Sequence, residues 1–176
     1  DLLSLSTYEN HEKIKTPQHC NVSEAVSIAI NSLESKSKEK KIEIVFNQQS
    51  ESWAVKCSKQ ELIQIAINII DNSIKYSKEN TQIVIQLNLL DDPLRKREYV
   101  NITFQDEGLG IAEEHIPRLT ERFYRTDVAR SREVGGTGLG LSIVKHILNN
   151  NDGLLKIFSK VGVGSTFTVS LPLSKS

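Results

Sequence analysis

All nine glycines of this 176-residue chain lie at or after Gly108, and four of them fall within 135–140 (Gly135, Gly136, Gly138, Gly140). Five of the seven arginines stand between Arg118 and Arg132, a stretch without lysine. The two biases coincide, so the first hundred residues read as scaffold and residues 106–142 as a site. Around that site the chain is balanced: 22 Lys+Arg face 22 Asp+Glu. Zero net charge excludes a broad nucleic-acid or anionic-membrane surface, which needs a basic excess. With 38% hydrophobic and 25% charged residues the composition is that of a globular domain. No apolar run is long enough to span a bilayer and no signal peptide is visible. Cys20 and Cys57 lack metal or redox spacing and point to a reducing compartment. The chain has no Met and begins Asp1-Leu2-Leu3, and it is expected to be a piece of a longer protein.

Hydrophobic periodicity sets the elements. Residues 1–20 are largely polar after Leu2, Leu3 and Leu5, which read as the end of an upstream helix. Asn21 followed by Glu24 has capping-box spacing, and Val22, Ala25, Val26, Ala29, Ile30 and Leu33 continue at helical period. Residues 42–46 and 52–56 alternate as strands and are expected to form a hairpin across a polar turn. Ser58 with Glu61 opens a helix from about Lys59 to Tyr76. Strands are expected at 82–90 and 99–105, separated by an exposed charged loop at 91–98 containing Pro93. A short helical piece follows within 112–136, then a helix at 139–150. A hairpin at 154–159 and 165–171, turning at Gly162 and Gly164, ends the chain. Helices interleave with hairpin-joined strands, which predicts an α/β fold, a two-layer sandwich with a mixed sheet.

Three segments carry the chemistry. On the central helix Asn68, Asn72, Lys75 and Tyr76 share one face, opposite Leu62, Ile65 and Ile69. Amides inside an Ile-rich helix are costly unless they find partners. As a set, these residues offer an oxygen to a metal, a cation to phosphate and a ring to a base. Asp106-Glu107-Gly108-Leu109-Gly110-Ile111 follows a strand directly. Its glycines would let a flat ring approach the backbone, and its Asp106 carboxylate suits the exocyclic amino group of adenine while repelling guanine's carbonyl oxygen. Gly136-Thr137-Gly138-Leu139-Gly140-Leu141 opens a helix whose first N–H groups make a phosphate cradle. It is neither a Walker A loop nor G-x-G-x-x-G.

Taken in order, Asn68-x-x-x-Asn72-x-x-Lys75-Tyr76, Asp106-x-Gly108-x-Gly110-Ile111, Glu121-Arg122-Phe123-Tyr124-Arg125, Gly136-x-Gly138-x-Gly140-Leu141 and Gly162-x-Gly164-Ser165 resemble the N, G1, F, G2 and G3 boxes. Those boxes belong to the ATP-binding catalytic domain of two-component sensor histidine kinases, in the GHKL superfamily. The resemblance spans about residues 20–173. The run from His115 to Arg125 looks most like phosphate-regulon sensor kinases, with Thr120 where most members carry Phe.

The resemblance implies a Bergerat-type ATP-binding fold over residues 21–176, preceded by the end of a dimerisation helix and a linker at 1–20. It implies ATP and Mg²⁺ as ligands. Asn72 would ligate the metal, Lys75 would meet phosphate, Tyr76 would line the pocket and Asp106 would take the adenine amino group. Arg125 and Arg130 match lid positions that reach toward phosphate, in a lid around 113–136 hinged at Gly135-Gly136. Ser165 belongs to the last box. Arg118, Arg122 and Arg132 read as solvated charges. Related ATPases of the superfamily carry a water-activating Glu where this chain has Asn68, an amide that is no general base. That favours a kinase over a GHKL-type ATPase or a non-catalytic ATP-binding regulatory module.

His11-Glu12 before Thr16-Pro17 is one residue too long for the family's phosphoacceptor motif, so the accepting histidine is expected on a separate domain. The implied partners are that dimerisation and phosphoacceptor domain, within a homodimer, and a response regulator. The implied setting is the cytoplasmic side of a membrane-anchored bacterial sensor, with no direct membrane contact by this part. His19, His115 and His146 read as packed or exposed. Glu107 places a second carboxylate beside Asp106; facing the pocket, it would weaken nucleotide binding or raise the Asp106 pKa.

Overall fold

A computed structural model of the chain describes residues 18–47, 52–126 and 135–174. A short strand, β1 (His19–Asn21), leads into helix α1 (Val22–Glu39). The Asn21 side chain accepts the Glu24 N–H at 2.9 Å, the helix start anticipated from the sequence. β2 (Glu43–Asn47) and β3 (Ala54–Lys56) precede helix α2 (Lys59–Tyr76). Ser58 and Glu61 close a complete capping box at the start of α2. β4 (Gln82–Asp92) and β5 (Arg97–Asp106) form a hairpin, longer than expected because the turn needs only residues 93–96. A 3-10 turn at Glu113–Arg118, helix α3 (Gly140–Asn150) and the hairpin of β6 (Leu154–Lys160) with β7 (Gly164–Pro172) complete the described chain.

The main sheet has the order β2-β4-β5-β7-β6, with β2 and β4 parallel and the remaining pairs antiparallel. It is the expected mixed sheet, backed on one face by the helices in a two-layer sandwich. The expected hairpin between 42–46 and 52–56 does not form. β2 joins β4 through the α2 crossover, while β3 pairs with β1 in a separate two-stranded sheet. Alternation specifies a strand and its buried side chains but not its partner, and a parallel partner requires a helical crossover, which α2 supplies. Because His19 pairs with Lys56, the fold already includes the chain at residue 19.

The register explains where the site lies. Phe46, Ile85, Phe104, Phe167 and Ile157 align across all five strands as one row of the helix-facing surface. Two residues along, the matching row is Ile44, Ile83, Asp106, Ser165 and Ser159. Strand alternation therefore puts the Asp106 carboxylate at a core position, where the apolar row turns polar. α1 and α2 run parallel, with partners thirty-five residues apart at both ends: Glu24 meets Lys59, and Lys36 meets Asp71. Beyond them the Lys40 Nζ donates to the carbonyls of Ile74 and Lys75 at 2.7 and 2.5 Å. A cation on the last carbonyls satisfies the helix end that carries Lys75 and Tyr76. Burial of that ammonium lowers its pKa.

Candidate functional site

A pocket of about 550 Å³ opens between α2, the ends of β5 and β7, and the start of α3. Asp106 lies in its floor at 7% exposure. Its Oδ1 accepts the N–H groups of Gly108 at 2.9 Å and Ser165 at 3.1 Å, and its Oδ2 accepts the Ser73 hydroxyl at 3.0 Å. A carboxylate has about four acceptor positions, so one remains, on Oδ2. Burial raises the Asp106 pKa, against the lowering effect of the bonds from Gly108, Ser73 and Ser165. Glu107 is exposed and outside the pocket lining.

The α2 wall presents Asn68, Asn72, Lys75 and Tyr76 to the pocket. Tyr76 stands at the rim, 40% exposed. The Asn68 Nδ2 is buried without a hydrogen-bond partner among the described residues. An orphaned donor of that kind costs about 1–3 kcal/mol unless something accepts from it, which makes it a receptor for an incoming oxygen. Asp71, on the same wall, bridges Lys75 at 2.7 Å and Lys36 of α1 at 2.8 Å. Burial alone would raise its carboxyl pKa, but the hydrogen bonds from Lys36 and Lys75 outweigh burial and hold it below the usual value.

The far wall is the start of α3. Among the described residues no side chain caps it at Leu139, which leaves its first N–H groups open to a ligand. Gly140 sits here, and a Cβ on it would lie 3.7 Å from the Asn68 Oδ1. Phe123 crosses to this wall, its N–H donating to the Gly138 carbonyl at 3.0 Å with its own backbone at φ +63°. A bulky side chain at positive φ is strained, and the Gly138 bond stabilises that conformation. Beside it the Tyr124 hydroxyl meets the His115 Nδ1 at 2.6 Å, and the Arg118 guanidinium lies 4.2 Å from the Tyr124 ring centre. Arg118 also pairs with Glu121 and is therefore an engaged surface cation.

A family model described as histidine kinase-, DNA gyrase B- and HSP90-like ATPase matches residues 57–175. The chain belongs to that family. Among its relatives is the sensor-like histidine kinase SenX3 of Mycobacterium tuberculosis, 36% identical over 172 residues, covering 98% of this chain and 40% of the relative. The sensor histidine kinase WalK of Bacillus subtilis is 31% identical over 98% of this chain and 27% of its own length. The phosphate regulon sensor protein PhoR of Pseudomonas aeruginosa is 41% identical over 65% of this chain and 24% of its own length. The chain thus spans less than half the length of these relatives. Among solved structures, full-length ShkA crystallised with AMPPNP superposes with a TM-score of 0.82, at 21% identity over 99% of this chain and 35% of that one. The mycobacterial sensor histidine kinase MprB gives 0.74, at 20% identity over 92% of this chain and all of that one. These two likenesses establish the fold.

Within this family member the anticipated residues that are described gather on one pocket, with two exceptions. Asn68, Asn72, Lys75, Tyr76, Asp106, Gly110, Ile111, Arg125, Gly136, Thr137, Gly138, Gly140, Leu141 and Ser165 all line it. Gly108 and Leu139 do not: Gly108 orients Asp106, and Leu139 is fully buried in the core. Arg130, Arg132 and His11 lie outside the described residues. The first glycines also have a structural role. A Cβ on Gly108 would meet Asp106 at 2.8 Å and Tyr76 at 3.0 Å, and one on Gly110, at φ +71°, would meet the Lys160 carbonyl oxygen at 2.0 Å. These glycines let chain approach chain and assemble the floor. The lining also includes Tyr124, from the third box, and Ser73, Asp71 and Lys36, which sequence reasoning passed over. Ser73 and Asp71 carried a signal, their place among the boxed residues of α2; Lys36 carried none.

Proposed function

We propose that the chain is the ATP-binding catalytic domain of a two-component sensor histidine kinase, supplying the γ-phosphate of ATP to a histidine on a separate helical domain. One observation carries the reading: Asp106, held by three donors, keeps a single acceptor position at the floor of a pocket whose opposite wall is an uncapped helix start. A lone acceptor suits the adenine amino group, and free N–H groups beside the orphaned Asn68 amide suit phosphate oxygens. The names of the relatives SenX3 and WalK, both sensor histidine kinases, support the same class.

The donor set also fits Mg²⁺. Among the described residues no group of three His, Cys, Asp or Glu is placed to hold a metal. We expect a magnesium ion here to take few protein oxygens, that of Asn72 among them, and to complete its shell with phosphate and water, its usual habit in nucleotide sites. When bound, the ion neutralises phosphate charge during transfer. The protein's own part is positioning: Asp106 fixes the base, Lys75 and the α3 N–H groups orient the phosphates, and Arg125, which lines the pocket, adds a further cation for them; Arg130, outside the described residues, keeps the phosphate role that the family resemblance implies. Asn68 holds but does not deprotonate, so water is not activated and the phosphate is kept for the histidine acceptor.

The proposed partners are the dimerisation domain bearing that histidine, in a homodimeric sensor, and a response regulator. No helix among the described residues is long and apolar enough to cross a membrane; the anchor of a membrane-bound sensor would lie elsewhere in the parent protein. Calorimetry with ATP, with and without Mg²⁺, tests the site. Tight binding that loses its Mg²⁺-dependent part in Asn72→Ala is expected, and an Asn72→Ala variant as responsive to Mg²⁺ as wild type refutes the metal assignment. Labelled ATP with a separately prepared phosphoacceptor domain tests transfer; steady hydrolysis without label on that domain would instead mark an ATPase.

A further inference from the structure

Lys36 stands on α1, upstream of the segment matched by the family model, yet it lines the pocket. Its Nζ lies 2.8 Å from the Asp71 Oδ1, while the Lys75 Nζ lies 2.7 Å from the Oδ2. One carboxylate therefore spans two ammonium groups from two helices. They can be no farther apart than those two contacts and the width of the carboxylate. The pairing follows from the parallel packing of α1 on α2, which Lys40 fixes just beyond by capping the end of α2.

Two cations and one anion leave this wall a net positive charge. Each ammonium has three donors and spends one on Asp71, so both retain donors for a ligand. Stability is a poor account of the second lysine, since Lys36 is 59% exposed at its side chain and exposed pairs contribute little. Its location is a better one. Asp71 shares a helix face with Asn68 at i+3 and directly precedes Asn72, so the lysine pair flanks the wall read above as phosphate-binding.

We infer that Lys36 is a second cationic contact for the nucleotide's polyphosphate, held beside Lys75 by the shared Asp71 carboxylate, and that the pair makes the site discriminate by phosphate number. The inference rests on the nucleotide reading of the pocket.

Calorimetric titration of the 176-residue chain with ATP and with AMP, for wild type, Lys36→Ala, Lys36→Arg, Lys75→Ala and the Lys36→Ala/Lys75→Ala double variant, tests it. Lys36→Ala should weaken ATP binding about fivefold, the scale of one partly exposed ion pair, and change AMP binding less than about twofold. Lys36→Arg should restore ATP affinity, and the Lys36→Ala loss should persist when Lys75 is already alanine. Equal weakening of ATP and AMP, no change at all, or a loss that vanishes without Lys75 each overturns the inference. Thermal melts of the variants confirm that they fold, as expected for an exposed position. If wild type binds neither nucleotide, the reading of the pocket falls and this inference with it. If wild type binds ATP and Lys36→Ala binds it equally well, the inference alone falls.

Discussion

Asp106→Asn separates recognition from folding, because the replacement has the same shape. In the fold, the amide oxygen must take the Oδ1 place, where it accepts from Gly108 and Ser165. The NH₂ group then occupies the Oδ2 place, and the Ser73 hydroxyl turns from donor to acceptor. All three charge-assisted bonds become neutral ones, a loss of about 1 kcal/mol each, offset by removing a charge from a desolvated place. The stability change is thus small. For a nucleotide it is not: the one free acceptor becomes a donor facing the adenine amino group. Loss of a charged hydrogen bond and creation of that mismatch together cost about 3 kcal/mol, or roughly a hundredfold in Kd. Calorimetry should show ATP affinity falling by that factor while the melting temperature moves by only a few degrees. The preference for ATP over GTP should narrow as well. An Asn variant that binds ATP within about threefold of wild type would refute the assignment of Asp106 to the base.

The same carboxyl predicts a pH dependence. Its pKa is raised in the folded state, so the ionised form costs stability above the folded pKa, and that cost is relieved as pH falls through it toward the unfolded value of about 3.8. Across that window wild type should gain stability relative to Asp106→Asn in melts at successive pH; a difference independent of pH would contradict the buried-charge account. Gly110→Ala should cost several kcal/mol in urea unfolding, since the Cβ would sit 2.0 Å from a carbonyl oxygen at a positive φ. Gly140→Ala should keep or raise stability by up to about 1 kcal/mol, being in a helix with ordinary contacts, but should weaken ATP binding by crowding the phosphate end. Ser58→Ala should cost about 1 kcal/mol by breaking the capping box, with ATP affinity unchanged in the folded fraction.

Where local rules decide, the sequence was legible. The Ser58–Glu61 box and the apolar period of residues 59–76 defined α2 to its ends, and turn chemistry defined both long hairpins. Partner choice was not legible. The segment 42–47 has the same alternation whether its neighbour is β3 or β4, and only the α2 crossover, packed against the sheet with α1, makes the parallel pairing with β4 the one that buries Ile44 and Phe46 against the core. The site's floor lies between these cases. Asp106 announced itself as a chemical group, while its burial came from strand register, which aligns it with Ser165 and Ser159 at the place of an apolar row.

The glycines and Lys36 mark two different limits of sequence reasoning. A glycine in a pocket motif suggests space for a ligand, but the space at Gly108 and Gly110 is filled by Tyr76 and Lys160 of the same chain. Which use a glycine serves depends on the atom opposite its missing Cβ, and that atom is distant in sequence. Lys36 fails for the converse reason. On its own helix it reads as one more solvated lysine in a charged run, and its meaning appears only when the parallel crossing of α1 and α2 sets it opposite Asp71, thirty-five residues on. A motif reports residues that face the ligand from one continuous segment. A charge delivered from a neighbouring helix is invisible to it, yet at pocket distances it acts on the same phosphates by the same Coulomb law. If phosphate selectivity follows Lys36, it is set by how α1 lies against α2, and variation along that helix–helix contact will tune the site without touching any boxed residue.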